Sequence, residues 1–231
     1  MYITITNMHI LKYLIIFSIA LIFNFSIFSY DNFLVSTSSG ISKGELKDGV
    51  VTWHDIPYAK APVNDLRWRA PRDIYQPDKK LINLDNNYCV QKSSSLGGAQ
   101  GNGLIVGQED CLYLDIRAPK KIDSNIPVMF WIHGGGNTSG LKDLYDFSGL
   151  IKSQDVIVVS INYRLGPLGW FSHPAIQGPQ KDLDKSSNYG TLDIIKALEW
   201  VNKNIERFGG DSSNITIFGE SAGGHNVLSL L

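Results

Sequence analysis

Residues 215–224, with the sequence ITIFGESAGG, place one serine among small residues at the end of an apolar run. The spacing G-x-S-x-G is typical of a serine on a sharp strand-to-helix turn, where glycines leave room for a strained backbone. Such a turn exposes the Ser221 hydroxyl and puts the N–H of Ala222 at the positive end of a helix, where an oxyanion can bind. The pattern predicts nucleophilic attack by Ser221. The alternative is an ordinary glycine-rich turn.

A second glycine cluster follows the apolar run VMFWI and His133 at residues 134–136. Three glycines remove every Cβ from a backbone that must approach another group closely, and their N–H groups can point at a substrate oxygen. Paired with the serine motif, the cluster predicts an oxyanion-binding loop; a flexible loop is the alternative. We interpret His133 as support for this loop, because the histidine base follows the serine in chains with this motif.

Alternating and continuous apolar runs predict the elements that carry these two loops. We expect antiparallel strands over 49–59 and 111–119, buried strands over 127–136 and 155–163, a helix over 191–207, a strand over 215–218, and a helix that begins at Ala222. Strands first, and then alternating strands and helices, indicate an α/β sandwich.

The amino-acid composition and net charge of the chain argue against some classes of function. The chain has 231 residues, of which 43% are hydrophobic and 19% charged, with a formal net charge of −1. This is ordinary globular composition, and no basic stripe with interleaved aromatics indicates a nucleic-acid partner. No metal site is predicted, because the two cysteines have no further cysteine or histidine at ligand spacing.

The first 29 residues form a separate segment. One lysine precedes an apolar run over 13–23 that continues past Asn24 and Ser26 to Phe28, followed by polar residues. This predicts a secretory signal peptide over 1–29, with Ser29 before the cut, and hence a secreted or extracytoplasmic protein. An uncleaved membrane anchor is the alternative, although the interruptions leave the run short of a full span.

Cys89 and Cys111 enclose a polar, glycine-rich segment with little apolar content to order it. In an exported chain a bridge between them would stabilise this segment by roughly 3 kcal/mol. Two buried thiols are the alternative.

Six motifs, in order, resemble the N-terminal part of a type-B carboxylesterase. This is the α/β-hydrolase family that includes cholinesterases, bile-salt-activated lipases and the non-enzymatic neuroligins. The resemblance covers nearly all of residues 40–231. The motifs are DIPYAKAPVNDLRW, EDCLYLDI, WIHGGG, INYRLGPLGW, NYGTLDIIKALEWVNKNIERFGGD and ITIFGESAGG.

The resemblance implies a role for individual residues. Ser221 is similar to the family nucleophile, and Gly135, Gly136 and Ala222 are similar to its oxyanion-hole donors. Cys89 and Cys111 are similar to the first disulfide of the family. Three positions depart from the usual pattern: Asp115 stands in place of asparagine, Asn137 in place of an aromatic residue, and Ile194 in place of glutamine.

The function predicted on this basis is carboxylic-ester hydrolysis of a small-molecule substrate through an acyl-enzyme, without a cofactor. A serine hydroxyl needs a histidine base and an acidic residue, and both follow the serine in this fold. Only His225 lies beyond Ser221, and its place in the helix points it away from the serine. We therefore expect an incomplete chain that is inactive alone. A binding protein on the same scaffold, or an inactive truncated product, is the alternative.

Overall fold

The computed structural model describes residues 33–95, 97–101 and 104–231. The signal peptide predicted over 1–29 lies outside these residues. The main sheet contains β3 (Glu45–Lys47), β4 (Val50–Pro57), β7 (Tyr113–Pro119), β8 (Ile126–Ile132), β9 (Ile157–Ile161) and β10 (Gly210–Gly219). Two short pairs lie outside it: β1 (Leu34–Thr37) with β2 (Gly40–Lys43), and β5 (Gln91–Lys92) with β6 (Ile105–Val106).

The six strands are arranged in the order β10-β8-β9-β7-β4-β3. β4 and β7 pair antiparallel, with Trp53 opposite Ile116, as their alternating patterns predict. β8 runs parallel to both of its neighbours, β9 and β10. Every residue of β9 is buried, which explains its continuous apolar sequence, because helices and loops cover both faces of the sheet at this strand.

The helices are α1 (Ser148–Gln154), α2 (Gly166–Gly169), α3 (Pro174–Gln177), α4 (Tyr189–Asn204) and α5 (Ala222–Ser229). Three short 3-10 segments accompany them at Asn64–Leu66, Asp182–Lys185 and Ile205–Phe208. The helix predicted over 191–207 is therefore present, but it begins two residues earlier and its last turn tightens into a 3-10 segment. No helix within the described residues is long and apolar enough to cross a membrane.

Side chains of the sheet pack on both of its faces. Phe130 of β8 belongs to the larger apolar cluster, with Trp53 and Val201, whereas its neighbour Trp131 belongs to a second cluster with Ile151 and Val158. The alternation follows from the twofold period of a strand, and it places packed side chains on both faces of the sheet, as in an α/β sandwich. The carboxyl ends of β8 and β10 then lead into the two glycine-containing loops of interest.

Candidate active site

The backbone of Ser221 is strained. Its φ of 54° and ψ of −120° lie outside the regions that L-residues ordinarily adopt. Ser221 follows the end of β10 and directly precedes α5, and it is exposed. Strain of this kind is kept where surrounding structure fixes it, and here it occurs at an exposed residue just beyond the end of β10. The predicted strand-to-helix turn is confirmed.

Gly219 and Gly223 permit the turn, because no side chain fits at either position. A Cβ on Gly219 would lie 2.5 Å from the carbonyl carbon of Gly223, and a Cβ on Gly223 would lie 2.0 Å from the carbonyl oxygen of Ile132. The start of α5 therefore packs directly against the carboxyl end of β8. This contact brings the serine turn to the place where the second glycine cluster begins.

Residues 134–140, here called the glycine loop, follow β8 and lie against the serine turn. A Cβ added to Gly134 would lie 3.1 Å from the Cβ of Ser221 and 2.7 Å from the carbonyl oxygen of Glu220. The loop then closes on itself, because the carbonyl oxygen of Gly135 accepts hydrogen bonds from the N–H groups of Thr138 and Ser139. Two segments far apart in sequence thus meet at Ser221.

Three backbone donors at this junction are unused. Within the described residues, the N–H groups of Gly135, Gly136 and Ala222 donate no hydrogen bond. Ala222 is the first residue of α5, so its N–H is also at the positive end of the helix. Unpaired N–H groups beside a serine can stabilise an oxyanion, since negative charge develops on the carbonyl oxygen when a hydroxyl attacks an ester.

His133 is buried beneath the glycine loop. Its ring stacks on Tyr163 with centroids 4.4 Å apart, and its Nδ1 lies 2.8 Å from the carbonyl oxygen of Gly134. Burial lowers the pKa of His133 to about 4, so the ring is neutral at pH 7 and Nδ1 carries the proton that Gly134 accepts. These contacts fit the supporting role expected for His133.

Asn137 ties the glycine loop to α5. Its Oδ1 accepts a hydrogen bond of 2.9 Å from Asn226 Nδ2, and the hydroxyl of Tyr163 lies 3.4 Å from the same atom. The Tyr163 hydroxyl donates a shorter bond of 2.6 Å to the carbonyl oxygen of His133. The departure at Asn137 therefore has a structural use, because an amide can join loop and helix where an aromatic ring cannot. Ile194, another departure, is fully buried in the core.

None of the four described histidines forms a hydrogen bond with the Ser221 hydroxyl. His54 lies 3.0 Å from Asp115, His133 is buried as described, and the ring of His173 accepts from a backbone N–H at the start of α3. His225 is exposed on α5, where only its backbone is linked to Ser221. The structure agrees with the exclusion of His225 and His133 as the base.

Cys89 and Cys111 are joined in a disulfide, as the family resemblance implies. The neighbouring Gln91 links this bridge to the glycine loop, since its Nε2 donates to the carbonyl oxygens of both Cys89 and Gly140. Among the described residues, no group of His, Cys, Asp and Glu side chains is arranged to hold a metal ion.

Two buried ion pairs near the site were missed by sequence reasoning. Arg164 forms a two-pronged pair with Asp193 of α4, with both N–O distances at 2.7 Å. Lys142, two residues after the glycine loop, is buried among carboxylates that include Asp115. The unusual acid at position 115 was the one available signal for the second pair, because a buried carboxylate requires a cationic partner.

Comparison with known proteins places this arrangement in a family. A sequence model of the carboxylesterase family matches residues 31–231. The para-nitrobenzyl esterase of Bacillus subtilis is 41% identical over 202 residues, which are 86% of this chain and 40% of the relative. The cocaine esterase of Oryctolagus cuniculus is 41% identical over 189 residues, which are 78% of this chain and 34% of the relative.

Solved structures give the same result. A thermophilic para-nitrobenzyl esterase matches with a TM-score of 0.75 at 40% identity, over 85% of this chain and 40% of that one. A carboxylesterase of Geobacillus stearothermophilus matches with a TM-score of 0.72 at 38% identity, over 84% of this chain and 39% of that one. The chain thus spans about 40% of the length of these neighbours and shares that part of their α/β-hydrolase fold. It belongs to the carboxylesterase family.

Proposed function

We propose that the full-length protein is a serine carboxylesterase. Ser221 Oγ attacks the ester carbonyl, the carbonyl carbon becomes tetrahedral, and its oxygen takes the negative charge. The N–H groups of Gly135, Gly136 and Ala222 bind that oxygen. The C–O bond to the alcohol then breaks, the alcohol leaves with a proton, and water hydrolyses the acyl-serine to release the acid.

One observation carries this proposal. Ser221 has a strained backbone and an exposed position beside the glycine loop, and the N–H groups of Gly135, Gly136 and Ala222 donate no hydrogen bond to a described residue. A binding protein has no need of this combination, which supports the enzymatic role over the non-catalytic alternative on the same scaffold. None of the described histidines forms a hydrogen bond with Ser221, so we propose that the proton acceptor of the full-length enzyme is another histidine.

We propose a small carboxylic ester as the substrate class. The relatives are named for esters of small alcohols and acids, among them para-nitrobenzyl esters and cocaine. The exposed Ser221 and the donors beside it recognise the ester group itself. A panel of esters determines the preferred acyl and alcohol groups. Its first set is para-nitrophenyl esters of increasing acyl length.

We also propose that the protein is exported. The apolar run near the N-terminus supports this, and so does the Cys89–Cys111 disulfide, because such bonds persist in oxidising compartments and are rare in reducing ones.

A fluorophosphonate probe tests the catalytic proposal, because it forms a tetrahedral adduct on an activated serine and on no inert one. Incubated with the full-length protein, it should modify Ser221, identified by peptide mass spectrometry. Ser221→Ala should abolish labelling and lower ester hydrolysis by a factor of at least about 10³. Ser229→Ala, on an exposed serine of the same helix, is the control and should behave as the wild type. Labelling of another serine, or full turnover by Ser221→Ala, would refute the proposal.

A further inference from the structure

Lys142 is an almost fully buried lysine that contacts three carboxylates. Its side chain is 2% exposed, and its Nζ lies 3.0 Å from Asp55 Oδ1, 2.9 Å from Asp115 Oδ1 and 2.9 Å from Asp143 Oδ1. Lysine is seldom buried unless its charge is paired, because removal of an ammonium from water is costly. Three carboxylates compensate that cost here and fix the position of the ammonium.

Two of these carboxylates are anchored to the main sheet. Asp115 lies in β7, and its Oδ1 accepts a hydrogen bond of 2.9 Å from the backbone N–H of Asp55 in β4. The carboxylate of Asp55 in turn accepts bonds of 2.8 Å from the N–H of Leu84 and from Asn87 Nδ2. The ammonium of Lys142 is thereby tied to two adjacent strands of the sheet.

The charges of the cluster depend on one another. Asp115 Oδ2 also lies 3.0 Å from both Arg117 and His54, so three carboxylates share two permanent cations and one histidine. If Lys142 is removed, three carboxylates face one permanent cation, and Asp115, which is fully buried, loses its nearest ammonium. A buried set of paired charges is strongly destabilised when one of the charged side chains is removed.

Lys142 lies two residues after the glycine loop. Its backbone N–H donates to Asn162 Oδ1 at 2.9 Å, while Gly140 is held by Gln91 through bonds of 2.9 Å in both directions. The loop itself has no large side chain at Gly135 or Gly136 that could fix those residues by packing. Their position is therefore set by hydrogen bonds within the loop, by the bond from Asn226 to Asn137 and by the two ends of the loop, and Lys142 lies just beyond the second end.

We propose that Lys142, held by Asp55 and Asp115, is a positioning residue that sets the direction of the N–H groups of Gly135 and Gly136. This inference rests on the proposed function, because it assigns those N–H groups to the oxyanion. A lysine that acts in this way influences the tetrahedral stage more than the binding of the ester. Its loss should therefore lower kcat and leave KM nearly unchanged.

Lys142→Met in the full-length enzyme is the direct test. Methionine keeps the length of the side chain and removes its charge. We expect kcat to fall by a factor on the order of 10 to 100, with KM within about twofold. The affinity for phenylboronic acid, which forms a tetrahedral adduct with a serine, should fall by a similar factor. Lys196→Met is the matched control, since Lys196 also contacts two carboxylates, Asp73 and Glu199, but lies on α4 away from Ser221.

Asp115→Asn is the second variant, in case Lys142→Met does not fold. It keeps the shape of the side chain but removes its charge, and so weakens the attraction between residue 115 and Lys142. A smaller decrease of kcat and of boronate affinity is expected, again without a matching change in KM. Wild-type kcat and boronate affinity in whichever of the two variants folds would overturn the inference.

Hydrogen–deuterium exchange tests the role of Lys142 independently of the proposed esterase activity, because the measurement requires no turnover of substrate. The amides of residues 134–140 should exchange faster in Lys142→Met than in the wild type, with α4 unchanged. Unchanged exchange in the glycine loop would refute the role of Lys142, even in an active esterase. A wild-type protein that neither hydrolyses esters nor labels at Ser221 would instead refute the proposed function, whatever the exchange result.

Discussion

Gly135 and Gly136 offer the same N–H chemistry in two different steric surroundings. A Cβ on Gly135, whose φ is 94°, would lie 2.2 Å from the carbonyl oxygen of Ser139. A Cβ on Gly136, whose φ is 63°, would meet only Thr138 Oγ1 at 3.7 Å. Alanine at 135 must therefore displace the loop, whereas alanine at 136 mainly adds backbone strain of about 1–2 kcal/mol.

We predict from this difference that Gly135→Ala lowers kcat by a factor of about 10² or more, and that Gly136→Ala lowers it by roughly tenfold or less. KM should change little in either variant. Steady-state kinetics of the full-length enzyme provide the measurement. Gly149→Ala is the control, since no atom lies within 4 Å of the added methyl group in α1. Equal losses at 135 and 136 would contradict the steric argument.

His133 links stability to pH. Its pKa is about 4 in the folded protein and about 6.5 when unfolded, so between these values the unfolded chain binds more protons. The stability contributed by neutral His133 is complete above about pH 6.5 and is lost as the pH falls towards 4. The full effect is about 3 kcal/mol.

Urea unfolding of the full-length protein at several pH values from 4.5 to 7 tests this linkage. His133→Phe removes the titrating ring and keeps a flat side chain against Tyr163. The variant should show a weaker decrease of unfolding free energy on acidification than the wild type, although it is less stable at pH 7. Identical slopes in the two proteins would show that burial does not depress the pKa of His133.

Sequence reasoning singles out the glycines, Ser221 and Ala222 because the roles predicted for them depend on the backbone, and small residues at fixed spacing record a backbone requirement directly. It misses Lys142 and Asn226, since a lysine and an asparagine look like surface residues until the sheet brings Asp115 or Asn137 beside them. Asp115 and Asn137 depart from the pattern that the resemblance implies, and each takes part in one of these contacts. An unusual residue at one position does not, however, reveal which residue it contacts.

At the scale of the elements, the segment closed by the Cys89–Cys111 disulfide allows a direct test of its contribution to the stability of the fold. The bridge closes a segment with a sequence separation of 22 between Cys89 and Cys111. We predict that a Cys89→Ser, Cys111→Ser double variant loses about 3 kcal/mol of unfolding free energy relative to the oxidised wild type, because its unfolded chain is less constrained. Urea titration measures the difference.

Reduction supplies the control for this prediction. Dithiothreitol should bring the wild type down to the stability of the double variant and should not affect the double variant. Peptide mapping without reduction should recover both cysteines in one linked species. Two freely alkylated thiols in exported, folded protein would contradict the pairing.

Strands with a clear period are predicted well, because burial on one or both faces leaves a pattern in the sequence. β4, β7 and β9 lie within the predicted ranges, whereas β8 begins one residue before its predicted start at 127 and ends at Ile132, before the glycines. β10 is longer than the predicted 215–218, since its first half contains Gly210 and a register shift before Ile215, and polar residues there hide the strand. The short pairs β1–β2 and β5–β6 were not predicted, because two to four residues carry too little periodicity.

At the scale of the whole molecule, export can be tested directly. Expressed in a secreting host with a C-terminal tag, the protein should lose about its first 29 residues, because the apolar run there fits a cleaved signal. N-terminal sequencing of the secreted product is the measurement. Material that retains Met1 or Met8 and sediments with membranes would favour the anchor.

The parallel pairing of β8 with β10 also determines the order in which the site forms. These strands are neighbours in the sheet, but β9 and α4 lie between them in the chain. Contacts between distant segments form slowly, because the intervening chain has to be folded or closed into a loop first. The glycine loop is synthesised long before β10, but its hydrogen bond from Asn226 and its contact with Ser221 form only when β10 and α5 dock. Under the proposed mechanism, a nascent chain has no assembled oxyanion site until β10 and α5 are in place, so a ribosome-bound intermediate should resist fluorophosphonate until late in synthesis.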